Sequence, residues 1–462
     1  MTRFRDLDLR RYHVSPISGF LPEPGALDRL PDPYYDAWET AITNMPKLIQ
    51  RKELQARLDS LAVLSTGRLQ TEEEWRRAYV VLSFLSQGYI WNGDEPRRRL
   101  PLSIVSPLRI VAERLRISPC ATFATYCLWN VTLKAGADPD CAEPDNYLSI
   151  STFTSSKEEE WFYVISVAIE AQGGRIIAQA LEAIDAVHDR DQKVVLAFLK
   201  TLVKSIDRIS QILLRLYDNL SQDFFFHRLR PFLRGSKNMA EAGLPDGIFY
   251  PRCDCNGGGG EWLLHSGGSN AQSSLIQLLD IILGVEQSVG FIKEMRKYMP
   301  GPHKDFLERM SDISNIRGYA MGENDDSELR LAYNKAISRL RAFRDEHIRI
   351  VARYIFIPAG RNGTADRVRC LQDSQRGTGG TDIMQFLRMT RNTTKPCNTQ
   401  DDCSISPQQA NQKYCKDPGG ISAHPEAHVI QDDMTSKASD TNGDQLTEGQ
   451  FLPSFRPCSP IP

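Results

Sequence analysis

Long apolar runs are missing from this chain of 462 residues. No stretch approaches the roughly 20 consecutive apolar residues of a membrane-spanning helix, which argues against a membrane protein. A surplus of either charge is missing as well: 56 Lys and Arg face 58 Asp and Glu, for a formal net charge of −2. Nucleic-acid-binding proteins normally carry a basic excess, so no nucleic-acid partner is expected. The opening MTRFRDLDLRRYHV lacks the apolar core of a secretory signal. Together these absences point to a soluble, cytoplasmic protein.

Paired cysteines are a further absence. The 10 cysteines are scattered along the chain. Cys253 and Cys255 are separated by a single residue, too close for the usual zinc knuckle, and no matching His/Cys pair follows. A long chain without a secretory signal does not call for a disulfide framework either. Cys120 and Cys127 sit in an apolar stretch and read as small core residues.

What is present is ordinary globular material, 41% hydrophobic and 25% charged, with length enough for two or more domains. The segment SPISGFLPEPGALDRLPDPYYDAWE reads as an extended arm, because Pro16, Pro22, Pro24, Pro31 and Pro33 keep it out of helix until Tyr34. Helical periodicity then takes over, with Trp38, Ile42, Met45 and Leu48 at three- and four-residue steps. Thr71 with Glu74, and Ser155 with Glu158, read as capping boxes. Val195, Phe198, Leu199, Leu202, Ile206, Ile209, Leu213 and Leu216 hold one stripe of a long helix. Ser274 to about Val289 predicts another apolar helix. Asp325 to Phe356 predicts the longest, capped by Asp325 and Glu328 and stopped before Pro358. Strand signals are few and short.

The expected fold is therefore all-α. A smaller, mostly helical domain is expected over residues 1–150, ending at the Asp/Pro cluster ADPDCAEPDNYLSISTFT. A large all-helical domain follows over 151–395. Residues 396–462 are polar, Pro-rich and aperiodic, and are expected to form a disordered tail. Within that tail Asp440, Asn442 and Asp444 imitate a calcium loop. Gln445 stands where glycine is obligatory and Phe451 where a bidentate Glu belongs, so calcium is not expected.

Three places carry chemistry. His347 shares a helical face with Leu340, Phe343, Ile350, Val351 and Tyr354. An imidazole in such a stripe is either a core histidine bonded to a carbonyl or an axial ligand to a flat apolar cofactor. No HExxH and no His/carboxylate cluster surrounds it, which disfavours a multi-ligand metal site. In SQDFFFHRLRPFLRG, Phe224, Phe225 and Phe226 precede Arg228 and Arg230. The arginines are either solvated at a helix end, or Arg230 lies beside aromatic walls where its fork clamps a carboxylate. In RGTGGTDIMQFLRMTRNTT, Gly377, Gly379 and Gly380 allow close backbone approach, and Thr381 or Asp382 caps the helix that follows. Neither a Walker loop nor a dinucleotide fingerprint fits; a mobile loop closing over a small ligand does.

These elements in this order resemble the indoleamine 2,3-dioxygenase family, haem enzymes that open the indole ring of tryptophan. The likeness is carried by GFLPEPGALDRLPDPYYDAWE, FFFHRLRPFLRG, GGSNAQSSLIQLLDIILGV and MRKYMPGPHKDFLERM. It continues through LRLAYNKAISRLRAFRDEHIRIVARYIFIPA to GTGGTDIMQFLRMTRNTT. It runs from about Tyr12 to Thr394.

The resemblance implies haem b, ferrous in the active form, with His347 as its proximal ligand and a partner holding the second ring nitrogen. Arg344 and Asp280 match positions that pair near a haem propionate, and Ser269 and Asn270 lie on the haem-edge loop. Ser166 matches the distal hydroxyl, with Phe162 four residues before it. Phe225 matches an aromatic wall and Arg230 the residue that contacts the substrate carboxylate. Phe123 matches a distal-pocket position often filled by Tyr, and Cys127 lies on the same segment. Gly377, Thr378 and Gly379 match the loop that closes over substrate. The implied catalytic set is Ser166, Arg230 and Thr378.

Two departures stand out. Asn270 and Ala271 fall where the family has Ala and Gly, which makes the haem-edge loop bulkier. The segment PRCDCNGGGGEWLLHSGG reads as an inserted surface loop. The activity implied is insertion of dioxygen into the indole C2–C3 bond of L-tryptophan to give N-formylkynurenine, for NAD synthesis or a specialised metabolite. An electron donor would keep the haem ferrous, and the chain is expected to be a monomer. A member with poor tryptophan affinity acting on another indole, and a haem-binding sensor with negligible turnover, stay open as alternatives.

Overall fold

Local sequence signals decide where the helices begin. Thr71 accepts the Glu74 N–H at 3.3 Å, and the Glu74 carboxylate accepts the N–H of Gln70 at 2.8 Å, which starts the helix Glu72–Trp91. That helix is buried on nearly every face from Ala78 to Ile90, so it runs through the middle of its layer, flanked by the helices Asp36–Gln50 and Leu102–Arg114. The computed structural model describes residues 3–137, 142–252, 259–286, 289–322, 327–361, 377–378 and 382–396.

The architecture is all-α, as the periodicity predicts. Helix Gln192–Leu214 buries Val195, Phe198, Leu199, Leu202, Ile206, Ile209 and Leu213 along the stripe read from the sequence. It packs along the helix Ser327–Val351, the most extensive helix pair in the fold. Helices Lys157–Ala171 and Gly173–His188 complete this layer. Among the described residues, sheet is confined to two antiparallel hairpins. Val131–Leu133 pairs with Tyr147–Ser149, and Ile248–Pro251 pairs with Gly260–Leu263, placing Phe249 opposite Trp262. The described residues all belong to one compact unit, running from Met1 to Ser404. Contacts cross residue 150: the Asn130 amide donates to the Ser151 carbonyl and accepts its N–H, each at 2.8 Å.

Several expectations need correction. Ser155 does not cap the helix that follows: its φ of 55° is left-handed, whereas an N-cap is extended. Ser156 caps instead, accepting the Glu158 N–H, while Glu159 accepts the N–H groups of Phe153 and Thr154. The apolar run after Ser274 is not one helix. Helix Ser274–Ile282 stops because Gly284 takes φ 58°, and a second helix spans Val289–Met295. The long helix ends at Val351 rather than Phe356, yet the chain stays helical past Pro358, through a π turn at Ala352–Phe356 and then Ile357–Arg361. Asp325 lies outside the described residues. The segment read as an inserted loop supplies strand residues at Pro251 and Gly260–Leu263, with Cys253 and Cys255 outside the described residues. The calcium-like segment and the expected tail after Lys395–Pro396 also lie outside them. Among the described residues no helix is long and apolar enough to cross a membrane.

Candidate active site

Three turns with one extra residue each shape the site. Ala124–Leu128, Phe224–Leu229 and Ala352–Phe356 are π-helical, a form that re-aims side chains relative to the regular helix face. Each delivers residues to the same cavity: Tyr126 and Cys127 from the first, Phe225 from the second, Tyr354 and Ile355 from the third. The aromatic wall is continuous. Phe162 and Phe225 have ring centroids 5.2 Å apart, and Phe225 meets Tyr354 edge-on at 5.8 Å. The cavity measures about 220 Å³, against about 20 Å³ for the one beside His265 and Cys120, which makes it the evident ligand site.

His347 lies in the wall of this cavity, among Phe343, Ile350 and Val351. Desolvation, aided by the nearby Arg344 charge, lowers its pKa to about 4, so the imidazole is neutral at physiological pH. No hydrogen bond to its ring forms among the described residues; the partner expected for the second nitrogen is not among them. One turn earlier on the same helix, Arg344 is buried and forms an ion pair with Asp280 of the helix Ser274–Ile282. Arg344 also donates to the buried Thr394 hydroxyl. Ser269 and Asn270 open the short 3-10 turn before that helix, where the Ser269 hydroxyl accepts the Ala271 N–H, and both line the cavity.

The two arginines of FFFHRLRPFLRG separate. Arg228 is exposed, whereas Arg230 is 1% exposed, with its guanidinium 5.5 Å from the centre of the Phe226 ring. Arg230, Phe123, Cys127, Phe162, Ser166 and Phe225 all line the cavity. Burial pushes the Cys127 thiol far up, and the nearby Ser166 hydroxyl offsets this only in part. Gly377 and Thr378 close one side. The Thr378 hydroxyl donates to the Gly268 carbonyl at 2.8 Å, and the Thr378 carbonyl accepts N–H groups from Gly267 at 2.9 Å and Gly235 at 3.2 Å. Gly379 and Gly380 lie outside the described residues. Asp382 caps the last helix by accepting the Gln385 N–H at 2.9 Å, and Thr381 lies outside the described residues. That helix, Ile383–Thr393, covers the cavity with Ile383, Phe386, Leu387 and Thr390.

Sequence reading missed Tyr126, Gln277, Ser273 and Glu170 as lining residues. Glu170 had a signal: it continues the four-residue series Phe162, Ser166 along one helix face. Among the described residues no group of three or more His, Cys, Asp or Glu could hold a metal ion. Among the described residues His347 is the one histidine in the lining of this largely apolar cavity, and the Arg344–Asp280 pair lies on the same wall.

The chain is thus an all-α protein with a neutral imidazole in the wall of an aromatic-lined cavity. The indoleamine 2,3-dioxygenase family model matches residues 8–397, and the chain belongs to that family. It is 58% identical to an indoleamine 2,3-dioxygenase of Penicillium citrinum, over 90% of this chain and 94% of the relative. It is 39% identical to a 6-hydroxytryptophan 2,3-dioxygenase of Fusarium equiseti, over 83% of this chain and 96% of that one. Indoleamine 2,3-dioxygenase 2 of Homo sapiens is 33% identical, over 84% and 95%. Enzymes of this family are dioxygenases and are generally haem-dependent.

Proposed function

We propose that this chain is a haem dioxygenase that inserts both atoms of dioxygen into the indole C2–C3 bond of L-tryptophan, giving N-formylkynurenine. The observation that carries the reading is the convergence of His347, Arg230 and the Phe162–Phe225 wall on one cavity. The residues present fit haem. His347 offers a neutral ring without a competing hydrogen bond among the described residues, the lining is mostly apolar, and the Arg344–Asp280 pair supplies polarity for propionates. When bound, haem supplies the iron chemistry that activates dioxygen.

The chain's own residues bind, orient and exclude water. Arg230 holds the substrate carboxylate by charge-assisted hydrogen bonds. Phe162 and Phe225 contact the indole ring and fix its plane. Thr378, pinned to Gly235, Gly267 and Gly268, keeps the loop closed and solvent out. Ser166 and Cys127 are neutral at physiological pH and supply no general base, so Ser166 tunes binding rather than moving a proton.

A second reading, a ring-hydroxylated tryptophan, is favoured by the Fusarium equiseti relative and by the hydroxyl and thiol of Ser166 and Cys127 on the apolar wall. The test is haem-loaded protein with L-tryptophan, 6-hydroxytryptophan and a reductant, with product mass as the readout. Gain of two oxygen atoms on tryptophan, lost together with the Soret band in His347→Ala, is the expected result. A normal haem spectrum in that variant would overturn the ligand assignment. Turnover of the hydroxylated substrate alone would select the second reading.

A further inference from the structure

The helix Lys157–Ala171 holds a carboxyl that the proposed reaction does not use. Phe162, Ser166 and Glu170 follow at four-residue steps and all belong to the cavity wall. Glu170 is fully covered by protein. Its Oε1 accepts a hydrogen bond from the Ser273 hydroxyl, while Oε2 has no hydrogen-bond partner among the described residues. An ionised carboxylate there would be a charge without a cationic partner in a low-dielectric wall, whereas the neutral acid costs only an unmade hydrogen bond.

Among the described residues the surrounding elements do not supply a cation. The Ala124–Leu128 turn contributes Cys127, a neutral thiol within reach of the Glu170 charge. The start of the helix Ser274–Ile282 contributes the Ser273 hydroxyl and the Leu275 N–H. Behind it lies His303, 3.2 Å from the Ser274 hydroxyl and held neutral by burial, at about 3. The amino-terminal arm approaches through the backbone at Gly19. Arg230, Arg344, Asp280 and His347 share the cavity, yet none of them figures among the groups that shift Glu170. Burial therefore raises the carboxyl to about 7, against the Ser273 hydroxyl and the Leu275 N–H, which favour the anion.

We propose that Glu170 is a proton-holding residue of this cavity: it keeps the wall of Phe162 and Ser166 uncharged while a ligand is bound, and its ionisation weakens the binding of anionic ligands. The consequence for ligands rests on the haem reading above; the proton-holding role does not.

Infrared difference spectroscopy of the full chain between about pH 6 and pH 8 follows the carboxylic acid C=O stretch directly. The expected result is one band, shifted in D2O, that disappears with a midpoint near neutrality. Glu170→Gln removes it. Ser273→Ala moves the midpoint to higher pH, because the hydroxyl that favours the anion is gone. Absence of the band in the wild type, or a band indifferent to both substitutions, overturns the proposal. If Glu170→Gln does not fold, the wild type and Ser273→Ala decide it.

Azide binding to ferric, haem-loaded protein, read from the Soret shift, tests the consequence. Affinity should fall about tenfold more across that pH range in the wild type than in Glu170→Gln, the size expected of one nearby unit charge in a wall of intermediate dielectric. Equal falls overturn the link to ligand binding. A chain that shows the titrating band but takes up no haem keeps the proton-holding role and overturns the functional reading instead.

Discussion

Arg344 and Asp280, 64 residues apart in the chain, form a buried ion pair one helical turn from His347. With the bond from Arg344 to Thr394, the pair ties together the helices Ser327–Val351 and Ser274–Ile282 and the end of Ile383–Thr393, three segments that bound the cavity. Removing one partner strands a charge in the interior. Asp280→Ala should therefore cost about 3–5 kcal/mol in denaturant unfolding, while a double replacement of both residues by apolar side chains should cost far less. A double variant as unstable as the single one would show that the pair's hydrogen bonds, and not the stranded charge, dominate.

Arg230 is buried beside aromatic rings, where a carboxylate cannot be replaced by water at little cost. Arg230→Ala should raise KM for the amino-acid substrate about ten- to a hundredfold, equivalent to roughly 1.5–3 kcal/mol of charge-assisted hydrogen bonding. The haem spectrum should stay normal. Tryptamine, which lacks the carboxylate, serves as the control, and its binding should differ little between wild type and variant. Equal losses for both ligands would place Arg230 in the packing of the wall rather than in recognition.

The Thr378 contact depends on two backbones lying almost against each other. A Cβ added at Gly267 would sit 2.2 Å from the Leu233 carbonyl oxygen and 2.4 Å from the Gly235 nitrogen, so the two segments would have to part. Gly267→Ala should then loosen the carbonyl of Thr378 from both N–H groups. Thr378→Ala removes only the bond to Gly268, worth about 1 kcal/mol. The expected order is a small rise in KM for Thr378→Ala and a larger loss for Gly267→Ala, with faster proteolysis at Gly377–Thr378 in the glycine variant. Indistinguishable behaviour of the two would mean that the glycine contact does not hold the loop.

Much of this was legible because helical burial leaves a regular trace. The stripe from Val195 to Leu213 and the Thr71 cap can be read directly, and His347 stands out because an imidazole interrupts an apolar face. Arg228 and Arg230 could not be told apart by pattern alone. The turn at Phe224–Leu229 inserts an extra residue per turn without a compositional cue, and that insertion decides which arginine goes inward. The break after Ile282 was hidden for a different reason. Leu283 and Val285 continue the apolar rhythm, and only the left-handed backbone at Gly284 ends the helix. Glu170 was passed over because a carboxylate on a helix is ordinarily solvated. Its burial comes from tertiary packing against Ser273, across 103 residues of chain.

The raised carboxyl of Glu170 also makes a claim about stability. Its ordinary value is 4.5 and burial brings it to about 7, so the folded chain keeps a proton that the unfolded chain releases in that interval. Below the lower value both states are protonated and the group is neutral toward folding. As pH rises toward the upper value the folded state is progressively penalised, reaching roughly 3 kcal/mol above it. Glutamine does not titrate and escapes that penalty. Relative to wild type, Glu170→Gln should therefore gain stability on going from about pH 5 to about pH 8, whatever its constant packing cost. Urea unfolding at the two pH values measures the difference. A gap between the two proteins that does not change with pH would mean that the carboxyl ionises in the folded chain as it does in water.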